Sequence, residues 1–165
     1  MSSSLRNLSQ WLENTSLSSV VRDIHFMVPL LQSIHIFSVA LVIWAALAVD
    51  LRVLGALGRD QPLAAFSQRF LPVMWWTLIV LLISGALLIV GEPHRTLQNP
   101  VFQLKMIVLL LGMLITAFVQ SFIATGRLAL MPKAGDGAVK ALALLSIGAW
   151  VIIIFAGRWI AYTAS

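Results

Sequence analysis

The three histidines of this chain, His25, His35 and His94, are the side chains best suited to bind a metal or to move a proton. His35 lies inside a long run without charged residues, where an ionisable group is costly and usually faces the interior of a helix bundle. Neutral imidazole is also a common axial ligand of haem iron. We therefore expect His35 to bind a b-type haem or another metal. The alternatives are a hydrogen bond to a neighbouring helix and the handling of a quinone or a proton.

Two basic residues, Lys105 and Arg158, lie at the ends of later apolar runs, on the same predicted side of the membrane as His35. They are either snorkelling anchors or partners for the carboxylates of a cofactor tail, through charge-assisted hydrogen bonds. His94, in the link on that side, is either a solvated loop residue or a second ligand. His25 and His35 are ten residues apart. That spacing is about 15 Å along a helix, so we do not expect them to share one metal.

Four runs without charged residues supply the elements that must hold these side chains. They cover residues 24–49, 70–91, 106–126 and 141–157, with lengths of 26, 22, 21 and 17 residues. A helix needs roughly 20 apolar residues to cross the bilayer core, and charged side chains at both ends help the shortest run. The sequence predicts an all-α integral membrane protein: one membrane domain over residues 1–165, folded as an antiparallel bundle of four transmembrane helices.

A short helix is expected at the membrane interface before the first span. Residues 5–13 carry apolar side chains at helical spacing, opposite a polar face. Residues 14–16 are all suitable N-caps for a second helix. We expect that helix to continue directly into the first span, with a kink near Pro29.

Composition limits the classes of function. Hydrophobic residues make up 60% of the chain, charged residues 10%, and cysteine is absent. These values exclude a disulfide framework and an iron–sulfur cluster. The net charge of +5 comes from basic residues at helix ends, so the expected partner is the lipid bilayer and not nucleic acid. Most tryptophans, Trp150 among them, are expected in an interfacial belt, and the small residues at 84–86 and 146–149 in close helix contacts.

The basic residues of the links predict the orientation. The first and third links hold six of them and the second link holds two. The rule that basic links stay in the cytoplasm then places both termini outside, in the periplasm of a bacterial inner membrane. We see no removable signal peptide and expect the first span to direct insertion. The inner side has fewer groups for chemistry, and we expect Asp50 to pair there with an arginine.

Three segments of the chain resemble an uncharacterised family of small bacterial four-helix membrane proteins. They are the stretch from His35 to the sequence DLRVLG at 50–55, the sequence NPVFQLKM at 99–106 and the sequence GRWIAY at 157–162. This resemblance extends over nearly the whole chain. It implies the fold and the topology, and it implies no activity.

More distantly, the pattern is similar to the CopD membrane domain of copper resistance and to the HemJ type of protoporphyrinogen oxidase, which binds haem. The resemblance to the oxidase implies functional roles for His35, Lys105 and Arg52. The chain departs from that pattern in two places. No histidine follows Arg52, and Gln120 stands where relatives often carry a histidine.

Two main hypotheses follow. The first is a protein that binds haem b in the outer half of the bundle, for electron transfer or oxidation of a membrane substrate. His35, Lys105 and Arg158 would hold the haem, with His94 or His25 as a possible second ligand; copper is the alternative to haem. The second is an accessory subunit of a larger membrane complex, without a cofactor. A small transporter, or a pore between the copies of a homo-oligomer, is a third alternative.

Overall fold

Seven helices make up the computed structural model, which describes residues 3–124 and 133–163. In chain order they are α1 (Ser3–Glu13), α2 (Ser16–Asp23), α3 (Met27–Val53), α4 (Leu63–Gly91), α5 (Pro93–Leu97), α6 (Pro100–Ala124) and α7 (Lys133–Thr163). The helices α3, α4, α6 and α7 are long and apolar enough to cross a membrane. The predicted all-α fold, four spans after a short N-terminal helix, is confirmed.

The long helices differ from the predicted spans mainly at their ends. Helices α4, α6 and α7 begin before the apolar runs that they contain, and α3 continues to Val53. Residues 125 and 126 of the third predicted span lie outside the described ranges. Charged side chains at these ends are therefore part of helices.

The start of the first span corrects one prediction. Thr15 caps α2 as expected, because its side-chain oxygen accepts a hydrogen bond from the Ser18 N–H at 3.3 Å. Helix α2 then ends at Asp23, and α3 begins at Met27. The prediction of one continuous helix kinked near Pro29 is wrong. In a continuous helix the proline ring would clash with the carbonyl of residue 25, whereas the first turn of a new helix tolerates proline.

The four spans pack as two hairpins. Helix α3 lies along α4 and helix α6 along α7, while α3 also touches α7 and α4 meets α6 over a short stretch only. Apolar side chains fill the bundle in two clusters. One surrounds Val42, Met74 and Trp150, and the other surrounds Val53 and Val119. The limited contact between α4 and α6 leaves space between the hairpins in one half of the bundle.

The short helices α1, α2 and α5 cover the bundle at the end where this space between the hairpins lies. Helix α1 packs on α5, and α2 packs on α4. The Arg22 guanidinium ties α2 to α1 by donating to the Glu13 carbonyl at 3.0 Å and by pairing with the Glu13 carboxylate at 3.3 Å. A side chain at Gly91 would meet Val21 at 3.0 Å, so glycine lets α2 approach the end of α4. We call α1, α2 and α5 the cap.

Candidate functional site

A cavity of about 520 Å³ lies beneath the cap, between the four spans. Its wall is mostly aliphatic and includes residues from α3, α4, α6 and α7. The polar and charged members of the wall are Gln32, His35, Glu92, Thr96, Lys105 and Trp150. This size and this ratio of apolar to polar groups are typical of sites for small molecules and cofactors. We call this half of the bundle the cavity half.

A hydrogen bond to α4 fixes the imidazole of His35 on one side. His35 Nδ1 lies 3.1 Å from Ser84 Oγ. Ser84 donates its hydroxyl hydrogen to the carbonyl oxygen of Leu81, also at 3.1 Å. When the single hydroxyl hydrogen of Ser84 is on the Leu81 carbonyl, Ser84 accepts from His35 and Nδ1 carries the proton. The neutral ring then has a lone pair on Nε2, which is the arrangement of a metal-ligating histidine held by a second hydrogen bond.

Glycine at position 85 makes room for that ring. A Cβ atom at Gly85 would lie 3.1 Å from His35 Cε1, closer than ordinary van der Waals contact. The His35 ring therefore lies against two neighbouring residues of α4, the hydroxyl of Ser84 and the backbone of Gly85, which has no side chain. On the opposite wall, a Cβ atom at Gly157 would lie 3.5 Å from Lys105 Nζ. Small residues thus bring α4 and α7 close to the two ionisable groups.

Lys105 is a half-buried cation without a carboxylate partner. Among the side chains that the structure describes, no carboxylate oxygen lies within ion-pair distance of its Nζ; Glu92, which also lines the cavity, pairs with Arg95 at 3.1 Å. An ammonium group removed from water gains most from an anionic partner. The site therefore favours a ligand with a carboxylate or another acceptor at the Lys105 end.

Trp150 offers a second donor. Its side chain is buried at 3% exposure, and its indole Nε1–H has no acceptor. The expectation that Trp150 belongs to an interfacial belt is therefore wrong, because the indole lies in the bundle as part of the cavity wall. A buried indole N–H normally has a hydrogen-bond partner. The cavity thus offers an occupant the Lys105 ammonium and the His35 ring, and its wall contains the unsatisfied indole N–H of Trp150.

The structure brings together two of the four predicted site residues. His35 and Lys105 both line the cavity, whereas His94 on α5 and Arg158 on α7 are exposed and lie outside its lining. His25, in the turn before α3, is exposed as well. Sequence reasoning missed Ser84, Gly85, Gly157 and Trp150 as parts of the site. The run of small residues at 84–86 was the available signal, and it was assigned to helix packing alone.

The opposite half of the bundle holds a different set of polar groups. Gln120 is buried, accepts a hydrogen bond from Trp75 Nε1 at 3.0 Å, and directs its amide nitrogen to the sulfur of Met74 at 3.6 Å. The expected pairing of Asp50 with an arginine is wrong. Its carboxyl is hydrogen-bonded to Ser146, and no described arginine lies within ion-pair distance of it. Arg52 instead donates to the Gln61 carbonyl at 2.6 Å.

No group of three histidine, cysteine or acidic residues that could hold a metal ion on its own is present in the described part of the chain. His35 is the one histidine among the described residues that line the cavity.

Comparison with known proteins places the chain in a family. Residues 9–163 match the model described as "Family of unknown function (DUF6644)", and the chain belongs to this family. The predicted membership of an uncharacterised family is thereby confirmed. No curated protein and no solved structure matches the chain. The more distant resemblance to CopD and HemJ proteins stays a prediction.

Proposed function

We propose that this member of a family of unknown function binds a b-type haem in the cavity, with His35 as the axial ligand. Its role would be electron transfer, or the oxidation of a substrate dissolved in the membrane. The observation that carries the proposal is the hydrogen bond from His35 Nδ1 to Ser84, since it leaves Nε2 free to bind iron. A single histidine beside an apolar cavity is more typical of a haem site than of a bare metal site.

The other residues of the wall agree with this occupant. Aliphatic side chains and glycines offer apolar surface to the macrocycle, and Lys105 offers a cation to one propionate. We assign the second propionate to Arg158, which directly follows Gly157 of the cavity wall. When bound, the haem iron supplies one-electron redox chemistry. The protein positions it, excludes water from its faces and neutralises its carboxylates.

The second axial position distinguishes two forms of the site. His35 is the one imidazole among the described residues that line the cavity, so it would be the only histidine to hold the iron. His94 is the candidate second ligand, and it would reach the iron only after α5 moved. An open position predicts that the reduced protein binds carbon monoxide and shifts its Soret band. Bis-histidine ligation predicts no such shift.

The optical spectrum of purified protein, as isolated and after reduction, tests the proposal. We expect a Soret band that shifts on reduction in the wild type. Its absorbance should fall to background in His35→Ala and should persist in the matched variant His94→Ala. A wild-type spectrum without a Soret band after growth with a haem precursor would contradict haem binding. Co-purification of a second membrane protein at fixed stoichiometry would then favour the accessory-subunit hypothesis.

The location in the cell is part of the same proposal. We place the four spans in a bacterial inner membrane, with both termini and the cavity on the periplasmic side, because basic residues are concentrated in the first and third links. The chain contains no cysteine, so single cysteines report on sidedness without background. A membrane-impermeant maleimide on intact spheroplasts should label Ser19→Cys and spare Gln61→Cys. The reverse pattern would invert the orientation.

A further inference from the structure

A buried polar cluster outside the cavity has no role in the function proposed above. It consists of Asp50 from α3, Thr116 from α6 and Ser146 from α7, which we call the Asp50 cluster. Their exposures are 2%, 3% and 0%. The Asp50 carboxyl is hydrogen-bonded to the Ser146 hydroxyl, and Ser146 Oγ lies 3.4 Å from Thr116 Oγ1. The second carboxyl oxygen, Asp50 Oδ2, is buried without a partner.

Among the side chains that the structure describes, none compensates a negative charge on the cluster. The basic residues on the helices packed around it are His35, Arg52, Arg69, Lys105, Lys133, Lys140 and Arg158. No described basic group lies within ion-pair distance of the Asp50 carboxyl. Apolar residues of the Val53 and Val119 cluster occupy the same half of the bundle. A bare carboxylate in such surroundings is unfavourable unless a positive charge joins it.

The number of oxygen ligands decides which positive charge fits. Hard metal ions such as Ca²⁺ and Mg²⁺ take about six or more oxygen ligands. The cluster offers one carboxyl and two hydroxyls, and the hydroxyls already bond to each other or to the carboxyl. A proton needs a single oxygen lone pair, and Asp50 Oδ2 has one unused. The cluster therefore fits a proton better than a metal ion.

We propose that the Asp50 cluster is a proton-binding site inside the bundle. The carboxylate takes up one proton to become the neutral acid and returns to the carboxylate when the proton leaves; no redox partner is needed. The Ser146 hydroxyl can donate to the other carboxyl oxygen in both forms. Ser146 also lies one helical turn from Trp150 of the cavity wall, about 6 Å along α7. Proton binding at Asp50 requires no ligand in the cavity.

Infrared spectroscopy of purified protein tests this proposal without any ligand. The chain has six acidic residues, so few carboxyl bands overlap. At neutral pH, where exposed carboxyls are ionised, we expect one C=O stretching band of a protonated acid that shifts in D₂O. The band should be lost in Asp50→Asn and unchanged in Asp60→Asn, a variant of an exposed acid in the first link. A neutral-pH spectrum without such a band, or with one that survives in Asp50→Asn, would overturn the proposal.

A second variant keeps the test decisive if Asp50→Asn does not fold. In Ser146→Ala the carboxyl loses its hydrogen-bond partner, so the acid band should move to higher frequency. An unmoved band would assign it to another residue. Replacing potassium chloride with sodium chloride at constant pH should leave the band in place. Loss of the band on that exchange would identify sodium as the occupant and contradict a proton site.

Discussion

The cavity half and the Asp50 half of the bundle both bury polar groups without partners, and they differ in what surrounds those groups. In the cavity half, the side chains of His35, Lys105 and Trp150 line a space of about 520 Å³, and Trp150 Nε1 has no acceptor. In the other half, Asp50 Oδ2 is enclosed in a core of valines and other apolar residues. The open space is why we propose a ligand of molecular size for the first half. The filled core is why we propose a proton for the second.

Among the residues other than His35, replacing the cavity cation should give the largest change in ligand binding. Lys105→Met keeps the length of the side chain and removes its charge. A hydrogen bond to a charged group contributes about 1.5–3 kcal/mol, so we expect roughly 10- to 150-fold weaker haem binding in titrations of the apoprotein. Lys105→Arg should retain most of the affinity. Arg158→Met removes an exposed cation and should weaken haem binding by about fivefold or less. Equal losses of affinity in Lys105→Met and Arg158→Met would contradict this difference between the two cations.

Removing the support of the imidazole should have the next largest effect. Ser84→Ala deletes the acceptor that holds the proton on His35 Nδ1. Loss of such a supporting hydrogen bond typically lowers metal affinity by about 10- to 100-fold. The control is Ser38→Ala, because the Ser38 hydroxyl is buried but bonds only to its own helix, at the Ile34 carbonyl. Equal haem affinity in the two variants would mean that the Ser84 contact does not orient the ligand.

A methyl group at position 85 should have a smaller effect. In Gly85→Ala the new Cβ meets His35 Cε1 at 3.1 Å and displaces the ring. A ring held off its preferred rotamer costs about 0.5–1.5 kcal/mol, or roughly 2- to 10-fold in affinity. Gly148→Ala is the matched control, since nothing lies within 4 Å of its added Cβ. Both variants should gain helix stability in thermal unfolding, so a loss of affinity in Gly85→Ala alone isolates the contact with His35.

The smallest expected effect on haem comes from the opposite half. Gln120→Leu leaves the Trp75 indole without its acceptor, and we expect a loss of about 1 kcal/mol in unfolding free energy, with haem affinity unchanged. Chemical denaturation and haem titration of the same sample measure the two quantities. Gln68→Leu, at an exposed position of α4, should change neither. Weaker haem binding in Gln120→Leu would show that the two halves are coupled.

The sequence predicted the spans because charged residues are excluded from long stretches of a membrane helix, and this pattern is visible without knowledge of packing. It also singled out His35 and Lys105 as costly ionisable groups inside or beside a span, and the structure places both in the wall of one cavity. It did not reveal that Ser84 meets His35, since that contact depends on how α3 and α4 face each other. Trp150 was misplaced for a similar reason: a tryptophan near the middle of a bundle and one at its surface have the same local sequence pattern.

The division into two hairpins also determines the order in which the site is made. His35, Ser84 and Gly85 all belong to α3 and α4, which leave the ribosome before α6 and α7. The imidazole can thus be oriented by its partner while the chain is still being synthesised. Lys105 and Trp150 arrive later, with the second hairpin, and complete the wall of the cavity beside the imidazole. A chain that stopped after α4 would contain His35 and its Ser84 partner but would lack Lys105 and Trp150.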